Sequence, residues 1–451
     1  MVVFTAMVGG LLFSVLVYAL VFYLLHKRRK LKLLEWFLLS VATFNGIGFG
    51  FVIWATFNGR NPFFGTQKLM QFDIYTISTF LLSNIVLIGS VIIGWCLAPS
   101  FKEIFKLGSS KRAVSILSQK NKKINYVACF ILLVAIISYW LYVKPYGGFV
   151  GLLDHSRAIR AGVSTIRNPL SFLKIFGSLS FLSSFLFFGI LLEKKHSNKL
   201  TYIGFIISLL FSIYVLYSWM GRSSLAVYLL TFILGYIIYN YTSVISFLKR
   251  VMFFVISGFF LVTITDVVLG DSKYGFVGMM SKELSFPFMS YITQISNSDY
   301  RWFQDLIVAP LYLLPKSIWA NMLNIETATS YNTLIVAGAR KGEGVSGSLP
   351  IDFITLGHIQ ASIFGILVIG VLWGLFLHAI EDLLSKFKSH GLYAIVYANV
   401  VLNVVVLNTL YADPNHLLSR NFPLIVGALI FWFFGKFTLN KRQSQGVSIN
   451  A

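Results

Sequence analysis

Eleven apolar windows constrain this chain more than any other feature. They fall at about 2–25, 33–57, 74–98, 126–143, 169–192, 200–219, 224–245, 251–269, 358–380, 392–410 and 422–439. Each approaches the roughly 20 residues that an α-helix needs to cross a hydrocarbon core. Hydrocarbon offers no partner to a backbone N–H or C=O, so a crossing segment must be a helix or part of a closed barrel. These windows are apolar throughout rather than at alternate positions, which selects helix. The chain is therefore expected to be an all-α polytopic membrane protein with about 11 transmembrane helices, residues 1–451 forming one integral membrane domain. A composition of 57% hydrophobic and 12% charged residues agrees. The first apolar run is followed, not preceded, by its basic residues 27-KRRK-30, so it reads as a retained helix rather than a cleaved signal peptide.

A net charge of +21 on a soluble fold would suggest nucleic acid. Here the charge sits in loops between apolar windows, and no nucleic-acid-binding motif accompanies it. The segments 26–32, 99–125, 193–199, 246–250, 381–391 and 440–451 hold 21 of the Lys and Arg residues, and the longer opposite loops hold 14. The denser set is expected to be cytoplasmic, which puts the N-terminus outside and the C-terminus inside. Eight of the 14 outer basic residues are arginine, against five of the 21 inner ones. Orientation does not require arginine outside, but its planar fork suits phosphate oxygens. The two cysteines, Cys96 and Cys129, form no metal-binding or disulfide pattern.

One polar interruption is long: the outer loop 270–357, which mixes Lys273, Lys282, Arg301, Lys316, Arg340 and Lys341 with proline-broken apolar runs. Residues 306–314 are too few to span and read as an interfacial or re-entrant piece. Most crossings have uncharged centres. Secondary transporters usually place charge and broken helices at mid-depth, so chemistry at the outer surface is favoured over transport through the centre.

Four outer stretches hold candidate site residues. The first, 144–168, is an arginine-rich loop whose Arg157 and Arg160 share a face if 151–164 is helical, with Asp154 one turn earlier and Arg167 beyond. That face would clamp a pyrophosphate or be a salt-bridged surface helix. Just after it, Lys174 would either snorkel to headgroups, face a lipid diphosphate or pair with Asp266. The second is the short turn 219-WMGRSSLA-226, which holds Arg222 at the membrane surface. The third, 339-ARKGEGVSGSLPIDFITLGH-358, sets Arg340 and Glu343 among glycines that let backbone approach a ligand. The fourth, 411-YADPNHLLSRN-421, offers Asp413 and His416 as candidate bases and Arg420 as a phosphate ligand; Asp413 before Pro414 is equally an ordinary turn starter. HExxH and DxD are absent, so neither a zinc site nor a metal-held nucleotide sugar is indicated.

This arrangement resembles the Wzy-type O-antigen, or oligosaccharide repeat-unit, polymerases. The likeness rests on the crossings, an outer loop opening with Tyr146-Gly147-Gly148, the Gly221-Arg222 turn, the segments 312-YLLPKSIW-319 and 345-VSGSLP-350, and a last outer turn with Asp413 and Arg420. The resemblance implies an integral-membrane glycosyltransferase of the inner membrane, active at its periplasmic face, with no cofactor or metal. It would transfer a growing glycan from undecaprenyl diphosphate to a new lipid-linked repeat unit, with membrane lipids and a chain-length-regulating co-polymerase as partners. Its diphosphate-binding arginines would be Arg157, Arg160, Arg167 and Arg222, and after them Arg340 and Arg420, with the base left open among Asp413, His416 and Glu343. An O-antigen ligase and a lipid-linked oligosaccharide flippase are the alternatives.

Overall fold

The structure is a computed structural model that describes residues 2–28, 31–60, 73–104, 121–161, 164–193, 198–219, 222–241, 246, 249–253, 275–343, 345, 347–385, 387 and 389–430. Among them the fold is helical, and the only β-type pairing is one isolated bridge between Lys341 and Val345. The helices are α1 (Val2–Arg28), α2 (Leu33–Phe57), α3 (Ile74–Ile104), α4 (Asn121–Val143), α5 (Gly148–Ala161), α6 (Ser171–Leu192), α7 (Lys199–Ser218) and α8 (Arg222–Tyr239). They continue with α9 (Gly275–Ile295), α10 (Ala328–Ala337), α11 (Phe353–Leu384), α12 (His390–Leu410) and α13 (Pro414–Arg420).

Eight of the described helices are long and apolar enough to cross a membrane: α1, α2, α3, α4, α6, α7, α11 and α12. The protein is accordingly an all-helical membrane protein. The window 224–245 appears as the shorter apolar helix Ser224–Tyr239. Most of the window 251–269, and 431–439 of the last window, lie outside the described residues.

Two units make up the chain. One comprises Met1–Phe101, Ser243–Glu381 and Val401–Leu418; the other comprises Lys102–Thr242, Asp382–Val400 and Ser419–Ala451. In the second unit, α4, α6 and α7 pack through Ile131, Leu179, Leu182 and Phe187. Small polar side chains tie these helices together. Ser183 donates to the Ala128 carbonyl, Tyr228 to Ser184, and Ser212 to Ser180. Apolar helices in lipid gain little by hiding from one another, so such bonds and close packing hold them.

In the first unit the rings of Phe49, Phe80 and Phe288 cluster between α2, α3 and α9, with Phe288 edge-on to the other two. Two acids, the buried Glu35 and the half-buried Glu381, close the N-terminus of α2: Glu35 accepts the Lys32 N–H at 2.8 Å and Glu381 accepts the Leu33 N–H at 2.9 Å. Both satisfy amides that have no partner within the helix. The α3 and α11 helices meet backbone to backbone. A Cβ at Gly94 would overlap the Val371 carbonyl oxygen, and one at Gly374 the Val91 carbonyl oxygen.

The stretch 270–357 contains α9, α10 and the start of α11. One expectation changes: the crossing expected at 358–380 does not start there. Ala361 and Ser362 leave helical geometry inside α11, and a Cβ at Gly357 would stand 2.6 Å from the Ile366 Cα. Nine residues of continuous helix would separate those positions by about 13 Å. The chain therefore doubles back, and residues 353–360 form a short helix lying against the crossing half of α11. Hydropathy reads both halves as one run because both are apolar.

The close approach of α3 and α11 is open to a direct test. Gly94→Ala should lower the thermal unfolding midpoint in detergent, by the ~1–3 kcal/mol typical of overpacking. Gly89→Ala, whose Cβ meets nothing within 4 Å, should leave the midpoint unchanged or raise it slightly.

Candidate functional site

The break in α11 creates the site. A helix leaves its last carbonyls without an internal partner, and here a different segment supplies the donors. The Arg301 N–H reaches the Ile359 carbonyl at 2.8 Å and the Trp302 N–H reaches the Gln360 carbonyl at 3.0 Å. Holding both bends the chain sharply: Trp302 and Phe303 adopt φ of 46° and 63°. Bulky side chains rarely occupy this left-handed region, and each such residue costs about 1–3 kcal/mol.

Beside that bend, the Arg301 guanidinium grips the fully buried Asp305 with two bonds, 2.7 Å from Nε and 2.9 Å from Nη2. Nη2 also donates to the Glu326 carbonyl at 2.8 Å, and the cation lies 4.9 Å from the centre of the Tyr331 ring. Gln360 completes the group, giving its Nε2–H to Asp305 at 2.7 Å. Burial pushes the Asp305 carboxyl up, with Arg301 and Gln360 opposing and Asp413 assisting. Burial disfavours the Arg301 cation, but its bonds and ion pair with Asp305 outweigh that and shift the guanidinium upward. The buried Tyr312 hydroxyl is pushed up by burial first and then by the charges of Asp305 and Asp413.

A second polar cluster lies deeper along α2. Asn45 donates to Asn84 at 2.7 Å and to Asp352 at 3.4 Å, with all three buried. Asn45 is halfway along Leu33–Phe57, within a stretch of wide π-helical turns from Ala42 to Gly48. The centres of these spans stay uncharged, but Asp352, at the mouth of the doubled-back segment, comes level with the middle of α2.

The candidates named from sequence fall as follows. In the first unit, Asp413 is buried and takes the Thr329 N–H and the Asn415 N–H, each at 2.7 Å. It therefore closes the N-termini of α10 and α13, a capping geometry. Glu343 is exposed and accepts the Arg340 N–H at 3.0 Å in a tight turn, while the Arg340 side chain bonds Glu326 at 3.0 Å. His416 is half-buried with its ring edge-on to Tyr411.

In the second unit, the amphipathic α5 docks through Leu152, and the Tyr214 hydroxyl bonds the Phe149 carbonyl. Arg157 and Arg160 project outward from it with Asp154. Neither Asp154 nor Arg157 has an ion pair among the described residues. Arg167 is exposed just beyond, in a strand of chain fixed by Asn168, whose side chain donates to the Tyr142 carbonyl. Lys174 lies 5.4 Å from the Trp219 ring centre, a cation–π contact, while Asp266 lies outside the described residues. Arg420 is half-buried at the end of α13. Arg222 opens α8, but its side chain lies outside the described residues.

Arg301, Asp305 and Gln360 were not singled out by sequence reasoning. The available signal was the i,i+4 spacing of Arg301 and Asp305 in an otherwise apolar stretch. No protein-family model, curated protein or solved structure matches this chain.

The pair makes a quantitative expectation. Removing one member strands a buried charge and costs about 3–5 kcal/mol. Arg301→Met and Asp305→Leu should each lower stability markedly, and the double variant should lose clearly less than the two losses combined. A double-mutant cycle in detergent measures this, and additive losses would show that the two side chains do not depend on each other.

Proposed function

We propose that this protein is a Wzy-type polymerase that joins lipid-linked oligosaccharide repeat units at the outer face of a bacterial inner membrane. In this reading about 11 helices cross the bilayer, the N-terminus is outside and the C-terminus is cytoplasmic. The observation that carries the reading is the exposed guanidinium of Arg157 on a docked helix, with no carboxylate partner among the described residues. An unpaired arginine fixed to rigid helices is suited to a phosphate-bearing ligand, and Arg160 and Arg167 extend the same basic stretch.

The chemistry is a glycosyl transfer. A hydroxyl oxygen of the new repeat unit attacks the anomeric carbon of the growing glycan, and the bond from that carbon to undecaprenyl diphosphate breaks. The hydroxyl proton passes to a base, and the diphosphate leaves with the electron pair. Arginines neutralise that leaving group as its charge develops. Both carboxylate oxygens of Asp413 are engaged in capping, and the base stays open among Asp413, His416 and Glu343.

One observation favours a second reading, transport of the lipid-linked oligosaccharide: the polar cluster of Asn45, Asn84 and Asp352 halfway along α2. Polar groups at that depth commonly mark a substrate path.

Purified protein incubated with a synthetic lipid-diphosphate repeat unit should yield a ladder of products. Arg157→Ala should abolish that ladder while the protein remains folded and inserted. Absence of any ladder, together with movement of the lipid-linked unit across proteoliposomes, would replace the polymerase with the transporter.

A further inference from the structure

The segment between Arg301 and Glu326 is an excursion tied at its base by the bond from the Arg301 guanidinium to the Glu326 carbonyl. It consists of three short turns, Gln304–Ile307, Ala309–Leu313 and Ser317–Met322, none of which is long enough to cross a membrane. Yet its surface is strongly apolar. Trp302, Ile307 and Met322 are 68%, 74% and 77% exposed, and Leu313, Leu314 and Leu323 are exposed beside them. Six large apolar side chains facing water on so short a stretch is not the surface of an aqueous loop.

Its depth follows from the packing of α3 on α11. Gly370 lies against Leu87 and Ser90, Gly374 against Val91 and Trp95, and His378 against Trp95. The pairs advance together, so the two helices run in the same direction. Stepping back from Gly370 to the break at Ser362, and equally from Ser90, brings the break level with Leu82. That is about 12 Å inward of Ile74, where α3 begins, at 1.5 Å per residue. The excursion is fastened at this level, because Arg301 and Trp302 bond the last carbonyls before the break. The Phe303 ring also stands 6.4 Å from that of Phe364, itself 59% exposed at the start of the crossing half of α11. The apolar face is thus continuous with a face that α11 turns to lipid.

We propose that residues 302–323 are sunk into one leaflet of the bilayer, with Trp302, Ile307, Met322 and Leu323 in contact with phospholipid acyl chains and Lys316 reaching back to the headgroups. The excursion then shields the Arg301–Asp305 pair from lipid on one side and from water on the other. This holds whichever substrate the protein takes.

Nitroxide side chains test the placement. They are attached to Ile307→Cys and Met322→Cys in full-length protein whose Cys96 and Cys129 are replaced by serine, reconstituted in phosphatidylcholine–phosphatidylglycerol vesicles. Lipid-facing Leu82→Cys and exposed Asp154→Cys serve as references. At both test positions collisions with oxygen should exceed those with a water-soluble nickel chelate, in the ratio found at Leu82. A ratio like that at Asp154 would overturn the proposal by placing the segment in water. Low collision rates with both reagents, accompanied by spin–spin broadening, would overturn it in favour of a second copy of the chain covering the face. Unchanged thermal midpoints of the labelled proteins confirm that labelling has not unfolded them.

Discussion

Everything in the first unit turns on how the protein satisfies the carbonyls released where α11 breaks. A helix interrupted among apolar helices exposes backbone groups that cost several kcal/mol each if left dry. Here the amides of Arg301 and Trp302 take them up. That need explains why an aromatic pair is held at positive φ, since only a sharply bent chain can present successive N–H groups to the helix end. It also explains why a charged pair is buried at this point. Asp305, locked to Arg301 and Gln360, fixes the bent segment against the helix it satisfies.

The second unit is organised differently. Uncharged polar side chains bridge its helices, as in the Tyr139–Ser218 and Asn125–Thr201 contacts. The resulting rigidity lies under α5, which rests on apolar side chains and leaves its arginines outward. The physical contrast is useful. One unit hides its charge to stabilise an unusual backbone, and the other displays charge on an ordinary one.

Much of this architecture was legible in the chain. Apolar runs such as 74–98 and 200–219 reappear as α3 and α7 with little shift at their ends, because span length and polarity are read directly from composition. The helical face shared by Arg157 and Arg160 was legible too, because three residues of helix bring side chains to the same side. The doubling-back at Ala361–Ser362 was not. Its flanks 353–360 and 363–384 are both apolar, and hydropathy carries no sign of direction. Arg301 passed as one outer cation among many, since its partners Ile359 and Glu326 lie 58 and 25 residues away. Asp413 looked like a base or a turn starter, and only the approach of Thr329 shows the cap.

By itself, the sequence determined that the protein is a helical membrane protein with an arginine-rich surface segment, since the bilayer fixes which stretches can enter it and in what conformation. Tertiary structure alone decided which polar groups meet. Asn45 finds Asp352 across 307 residues, and Gln360 finds Asp305 across 55. Such contacts depend on where a broken helix turns back, and that is set by mutual satisfaction of backbone and side chain rather than by any local pattern.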